Sequence, residues 1–131
     1  IITPQRQVID QEVDMVTVPS VDGDITVLPK HAHLLTLLQE GIITMKHGNK
    51  EENLAIGGGY LETNGKEANI LVSRAYNQDE IDEKLTEEAI QKAKQVLADV
   101  KDEKQRLEAA STLRRSIIDM KLVKRRKNRV L

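Results

Sequence analysis

The chain has 131 residues, 39% of them hydrophobic and 31% charged, with a formal net charge of −1. That suits one ordinary folded domain or a small domain with an appendage, and no apolar run approaches the roughly 20 residues that a membrane-spanning helix needs. Cysteine, phenylalanine and tryptophan are absent, which excludes disulfides, thiol catalysis and a thiolate zinc cage and leaves almost no aromatic platform for single-stranded nucleic acid.

The opening residues, IITPQRQV, read as a strand already under way, so a few residues are expected before them; no basic-then-apolar leader marks a signal peptide. Residues 13–18, VDMVTV, are rich in β-branched side chains and bounded by Pro19. A turn at Asp22-Gly23-Asp24 leads into a strand over 25–28 that stops at Pro29. Gly41 opens the strand 42–45, and residues 47–50 close it as a hairpin. Asn64-Gly65, between the strands 60–63 and 69–72, is the strongest short hairpin signal in the chain. Short strands at this spacing predict a small sandwich or barrel rather than a parallel sheet.

From Asp79 the period changes. Ile81, Leu85, Ala89, Ala93, Leu97 and Val100 form one helical stripe, with Asp79 as its expected N-cap. A second stripe runs Leu107, Ala110, Leu113, Ile117, Met120. Residues 98–104 between them hold no Gly or Pro, so the join is compatible with a turn or with one continuing helix. Both stripes are modest and alanine-rich. Burying a Leu or Ile contributes about 1.5–3 kcal/mol against roughly 1–2 kcal/mol per ordered residue, so this half should need support from elsewhere. The predicted division is 1–78, a β-domain, and 79–131, a helical domain.

Charge divides along the same line. Residues 79–103 carry nine acids and four bases, whereas residues 114–131 carry eight bases and one acid, Asp119. Such a cationic tail favours an acidic partner surface or nucleic acid phosphate.

The chemical motifs are weak. Gly57-Gly58-Gly59 lacks the Lys-Ser/Thr that a phosphate loop needs, and Tyr60-Leu61-Glu62 continues as a strand rather than a helix. A bulge or a close backbone approach explains the glycines better. His31 and His33 would share one side of an extended segment, but no third metal ligand is marked. Thr26, Ser73 and Ser111 have no His–Asp partner at a telling position. No enzyme site emerges.

The ordered set Gly23, Leu28, Pro29, His31, Ala32, Leu34, Leu35, Gly41, Gly58, Gly59 and Glu62 resembles the epsilon subunit of the F-type ATP synthase across nearly the whole chain. The resemblance implies an α+β fold: an N-terminal antiparallel β-sandwich of about ten strands, then a C-terminal helix pair, as a hairpin or extended. It implies a non-catalytic rotor subunit that joins the gamma subunit to the membrane ring of c subunits and restrains ATP hydrolysis through its helices. Contact with the ring would fall on the loop 22–33, at Lys30, His31, Ala32 and His33. An apolar sandwich surface would bind gamma. Arg114, Arg115, Lys121, Lys124, Arg125, Arg126 and Arg129 would meet the alpha and beta subunits of the catalytic head. The membrane would be met only through the complex, on the cytoplasmic face of the cell membrane or the stroma-facing thylakoid surface.

Three departures from the family pattern stand out. The family loop has Gly where Thr26 and Lys30 stand, and Pro where His33 stands. Some relatives bind ATP through an I/L-D-x-x-R-A motif; here Asp82 is kept, but Leu85 replaces the arginine and Thr86 the alanine. On the second helix Arg115 falls on one family arginine and Asp119 on another. Without guanidinium forks a triphosphate loses its best partners, so ATP binding is expected to be weak or absent, with Asp82 a remnant and no cofactor. An alternative from another class is a free-standing adaptor whose basic helix binds nucleic acid, which the scarcity of aromatics weakens. A small-ligand sensor is a third.

Overall fold

A computed structural model describes residues 1–30 and 33–130, with side chains described through Arg125. It divides into two compact units, residues 1–77 and the residues from Gln78 onward.

The first unit holds eight strands: β1 Met15–Ser20, β2 Gly23–Val27, β3 Leu34–Leu38, β4 Gly41–His47, β5 Lys50–Ile56, β6 Gly59–Thr63, β7 Ala68–Val72 and β8 Ala75–Asn77. All pairings between these strands are antiparallel, in the order β7-β6-β3-β1-β4-β5-β8, with β2 on β1. The expected count of about ten becomes eight among the described residues, because the opening segment makes only isolated bridges, Ile2 with Gln7 and with Leu71.

Register explains how one ribbon makes two layers. Ile56 pairs with Ala75 and Gly59 pairs with Val72, while Gly57 N–H donates to the Arg74 carbonyl (3.1 Å) and Ser73 N–H to the Gly58 carbonyl (3.0 Å). Residues 50–63 and 68–77 are therefore one long hairpin bent at the glycines. On one side of the bend lie β2, β1, β4, β5 and β8; on the other lie β3, β6 and β7. The layers meet again where Ser20 pairs with Leu38. A Cβ on Gly59 would stand 1.9 Å from the Leu71 carbonyl oxygen, and one on Gly57 2.1 Å from Ser73 Oγ. The close-approach reading of the triple glycine holds: bare backbone lets the bend close.

Between the layers lies the core. Val18, Ile43, Ile56 and Leu61 are fully buried, with Val16, Leu38, Leu54, Ile70 and Val72 nearly so. Alternation along β1 sends Val16, Val18 and Ser20 inward and Thr17 outward, where its hydroxyl meets that of Thr26 at 2.9 Å.

Two strand ends differ from expectation. Pro19 does not stop β1; it lies inside it, opposite Asp24. Its missing N–H falls where β1 has left β4 at Thr17 and not yet met β3 at Ser20, so no ladder bond is lost. A Cβ on Gly41 would stand 2.8 Å from the Pro19 ring, so this glycine makes room for it. Leu28, expected in β2, lies just beyond its end.

The second unit opens with a 3-10 turn at Gln78–Glu80, followed by α1 Glu83–Asp99 and α2 Glu103–Val130. Asp82, not Asp79, caps α1: its Oδ1 accepts from Leu85 N–H at 3.0 Å. The helices form an antiparallel hairpin, since the Gln78 side chain donates to the Leu122 carbonyl (3.3 Å) and Arg106 donates to the carbonyls of Leu97 and Val100. At about 1.5 Å per residue, 17 residues of α1 span about 25 Å and 28 of α2 about 42 Å, so α2 outruns its partner.

The buried side of α2 also differs from the expected stripe. Leu107 and Ile117 are 65% and 39% exposed, while Ala109, Ser116 and Val123, seven residues apart, are buried. Ala93 is the buried position on α1, at the level of Ala109. Small side chains permit close axes, but Leu122 is buried with them at 0% exposure, so the buried side of α2 mixes small and large residues.

Candidate partner-binding surfaces

Four places carry the residues singled out from sequence. The first is the segment 22–33, expected to act as one loop. The structure separates it into two ends. Residues 23–27 are strand β2, so Asp22 lies by the layer junction, where Val21 N–H reaches the Leu37 carbonyl at 3.2 Å. Leu28-Pro29-Lys30 lies at the other end, about 16 Å away for five residues of strand. There the layers splay around an open cleft of about 900 Å³ lined in part by Val16, Val27, Met45, Thr63 and Ile70.

At the open end Lys30 N–H donates to the Gly65 carbonyl (2.9 Å), which ties this loop to the turn between β6 and β7. That turn takes four residues, 64–67: Asn64 Oδ1 accepts from both Lys66 and Glu67 N–H at 2.9 Å, and Gly65 has φ of 89°. Lys30 adopts φ of 65°, the lone left-handed non-glycine among the described residues. This is a position where the family pattern has Gly, so the backbone keeps the glycine conformation while the side chain adds a cation. Lys30 and His33 are both exposed. His31 and Ala32 lie outside the described residues.

The second place was not resolved to residues by sequence reading. Strand β3 has leucine at both parities: Leu34 and Leu38 turn toward the core, Leu35 and Leu37 outward, 69% and 63% exposed. Leu37 pairs with Tyr60 and Tyr60 with Leu71 across three strands. The result is a contiguous apolar face, the usual mark of a surface that another protein covers. LLTLL departs from the alternation of a one-sided strand, but the face itself follows only from the register with Tyr60 and Leu71.

The third place is the basic end of α2. Arg114, Arg115, Lys121, Lys124 and Arg125 are all exposed. At about 100° per residue, Arg114, Lys121 and Arg125 fall within about 40° of one another, on the side opposite Ala109, Ser116 and Val123. Lys124 flanks this row, and Arg115 stands about 100° away from it. The side chains of Arg126 and Arg129 lie outside the described residues.

Asp82 is the fourth. Its carboxylate caps α1, and its carbonyl accepts from Thr86 N–H (3.0 Å) and Thr86 Oγ1 (2.8 Å). The threonine that replaces the family alanine thus reinforces the cap. Leu85, in the arginine position, is 63% exposed. Among the described residues no group of three or more His, Cys, Asp or Glu could hold a metal ion, and no helix is long and apolar enough to cross a membrane.

Comparison with known proteins agrees with this architecture. The family model described as ATP synthase, Delta/Epsilon chain, beta-sandwich domain matches residues 1–78. The ATP synthase epsilon chain of Herpetosiphon aurantiacus is 37% identical over 129 residues, covering 98% of this chain and 95% of that one. That of Dehalococcoides mccartyi is 34% identical over 128 residues, covering 97% and 91%. Among solved structures, a chain in the Euglena gracilis mitochondrial ATP synthase (OSCP/F1/c-ring) superposes with a TM-score of 0.75 at 25% identity, covering 85% of this chain and 71% of that one. A chain of the Tetrahymena thermophila central stalk/c-ring shares the fold at 14% identity, with a TM-score of 0.56 and coverage of 90% and 91%. This chain belongs to the ATP synthase epsilon-chain family.

Proposed function

We propose that the protein is a non-catalytic subunit of the central stalk of an F-type ATP synthase, transmitting rotation and restraining ATP hydrolysis through its helical unit. The carrying observation is similarity to epsilon chains along 98% of the chain, both units included. The sandwich is the anchor. Its outer face at Leu35, Leu37 and Tyr60 binds gamma, because a partner must cover three large apolar side chains at 40–69% exposure. The open end, at Lys30 to His33, meets the ring of c subunits. The row Arg114, Lys121, Arg125 meets acidic surface on the alpha and beta subunits when the helices rise. The subunit is peripheral to the membrane, on the cytoplasmic face or its stromal equivalent. ATP binds weakly or not at all, because Asp82 serves its own helix and no arginine stands at Leu85; a calorimetric titration of the isolated chain checks this.

The regulatory role is tested in the assembled complex. Deleting residues 104–131, or changing Arg114, Lys121 and Arg125 together to Glu, should raise ATP hydrolysis several-fold under inhibiting conditions. Unchanged hydrolysis with both variants would count against the role of the tail.

A further inference from the structure

The turn between the helices is built in an unusual way for a helix hairpin. Residues 98–104, ADVKDEK, contain no Gly or Pro, so nothing in the local sequence breaks a helix by propensity. The ladder nevertheless ends with Val100 N–H to the Val96 carbonyl (2.9 Å) and restarts with Arg106 N–H to the Asp102 carbonyl (3.0 Å). Between them Val100 turns extended, with φ −97° and ψ 132°.

In one continuous helix the Lys104 N–H would donate to the Val100 carbonyl and the Lys101 N–H to the Leu97 carbonyl. In the hairpin three of those four groups are served by two side chains. Lys104 N–H donates instead to Asp102 Oδ1 at 3.0 Å. The Val100 carbonyl accepts from Arg106 Nη1 at 3.2 Å, and the same nitrogen reaches the Leu97 carbonyl. One side chain caps the start of α2 and the other closes the end of α1, each with the charge that its helix end favours.

We propose that Asp102 and Arg106 form a latch that holds this segment as a hairpin in preference to a continuous helix from α1 through α2. On unlatching, the Lys104 N–H and the Val100 carbonyl pair with each other and the Leu97 carbonyl takes the Lys101 N–H, so opening leaves none of the released groups orphaned. The latch is where a rotor-bound or head-bound state gains control of the helices. Its regulatory meaning rests on the function proposed above; its existence does not.

The test uses the full chain, which has no cysteine, carrying spin labels through Glu87→Cys and Ser111→Cys, both at exposed positions. In the hairpin these labels fall within about 20 Å of each other; in a continuous helix 24 residues set them about 36 Å apart. Asp102→Ala with Arg106→Ala should enlarge the long-distance population about tenfold, with helical circular dichroism retained, since loss of one N-cap alone is typically worth about fivefold. Asp102→Asn, which keeps a capping oxygen, should stay closed. An unchanged distance distribution in the double variant would overturn the latch. So would loss of helical signal without a long-distance population, because the pair would then only hold the helices folded. A longer distance together with unchanged hydrolysis by the assembled complex supports the latch and overturns the regulatory role.

Discussion

The two units are held by different means. In the sandwich, large side chains such as Ile43, Leu54, Ile56 and Leu61 sit at 0–1% exposure, each contributing about 1.5–3 kcal/mol of burial. Register is pinned as well, because a one-residue slip would turn every one of them to solvent. In the helix pair the buried positions are Ala93, Ala109, Ser116, Leu122 and Val123, and the turn is closed by hydrogen bonds rather than by a chain breaker. A core of interlocked large side chains has one arrangement. A helix pair in which Leu122 is the one large side chain fully buried among the described residues, with its turn closed by exposed polar contacts, can be taken apart at lower cost. The first suits an anchor that must transmit torque, the second an arm that must change position.

Substitutions at the bend sharpen this contrast. Gly59→Ala should be the most damaging, because the new methyl meets backbone, the Leu71 carbonyl at 1.9 Å and Val72 Cα at 2.7 Å, which cannot step aside without breaking β6–β7. A loss of about 3 kcal/mol or more in urea unfolding is expected. Gly57→Ala meets the Ser73 hydroxyl, which can rotate away, and should cost about 1 kcal/mol. Lys30→Gly should stabilise by about 0.5 kcal/mol, the left-handed strain of the lysine being partly offset by the entropy of glycine. Gly58→Ala, whose methyl finds only the Leu38 carbonyl at 3.5 Å, should change stability by no more than about 0.5 kcal/mol. Equal effects at Gly58 and Gly59 would mean that the bend is held by something other than close backbone approach.

Much of this was legible in the sequence, and the misses have physical causes. The strands at 13–18, 42–45, 60–63 and 69–72 announced themselves through β-branched runs and turn glycines. Strand β3 did not, because Leu34–Leu38 has leucine on both faces and no alternation to read. Pro19 bounds the β-branched run in the sequence; only the change of neighbour from β4 to β3 shows that β1 continues through it without needing its N–H. Asp79 and Asp82 were both able to cap a helix, and the 3-10 turn at Gln78–Glu80 decided between them. The apolar stripe expected on α2 runs through Leu107 and Ile117, which are exposed, whereas the buried residues are Ala109, Ser116, Leu122 and Val123. For the sites, composition showed a cationic end to the chain, and helix pitch is what sets Arg114, Lys121 and Arg125 in one row. The separation of Asp22 from Lys30 required the strand between them, and the apolar face on β3 required the register with Tyr60 and Leu71.

Amide hydrogen exchange on the intact chain tests the anchor-and-arm division most directly. Amides of β4 and β6 should exchange only through global unfolding, while those of α1 and α2 exchange through openings at least about 2 kcal/mol easier. Equal protection in both units would contradict the division, because the helices would then be as firmly fixed as the sandwich.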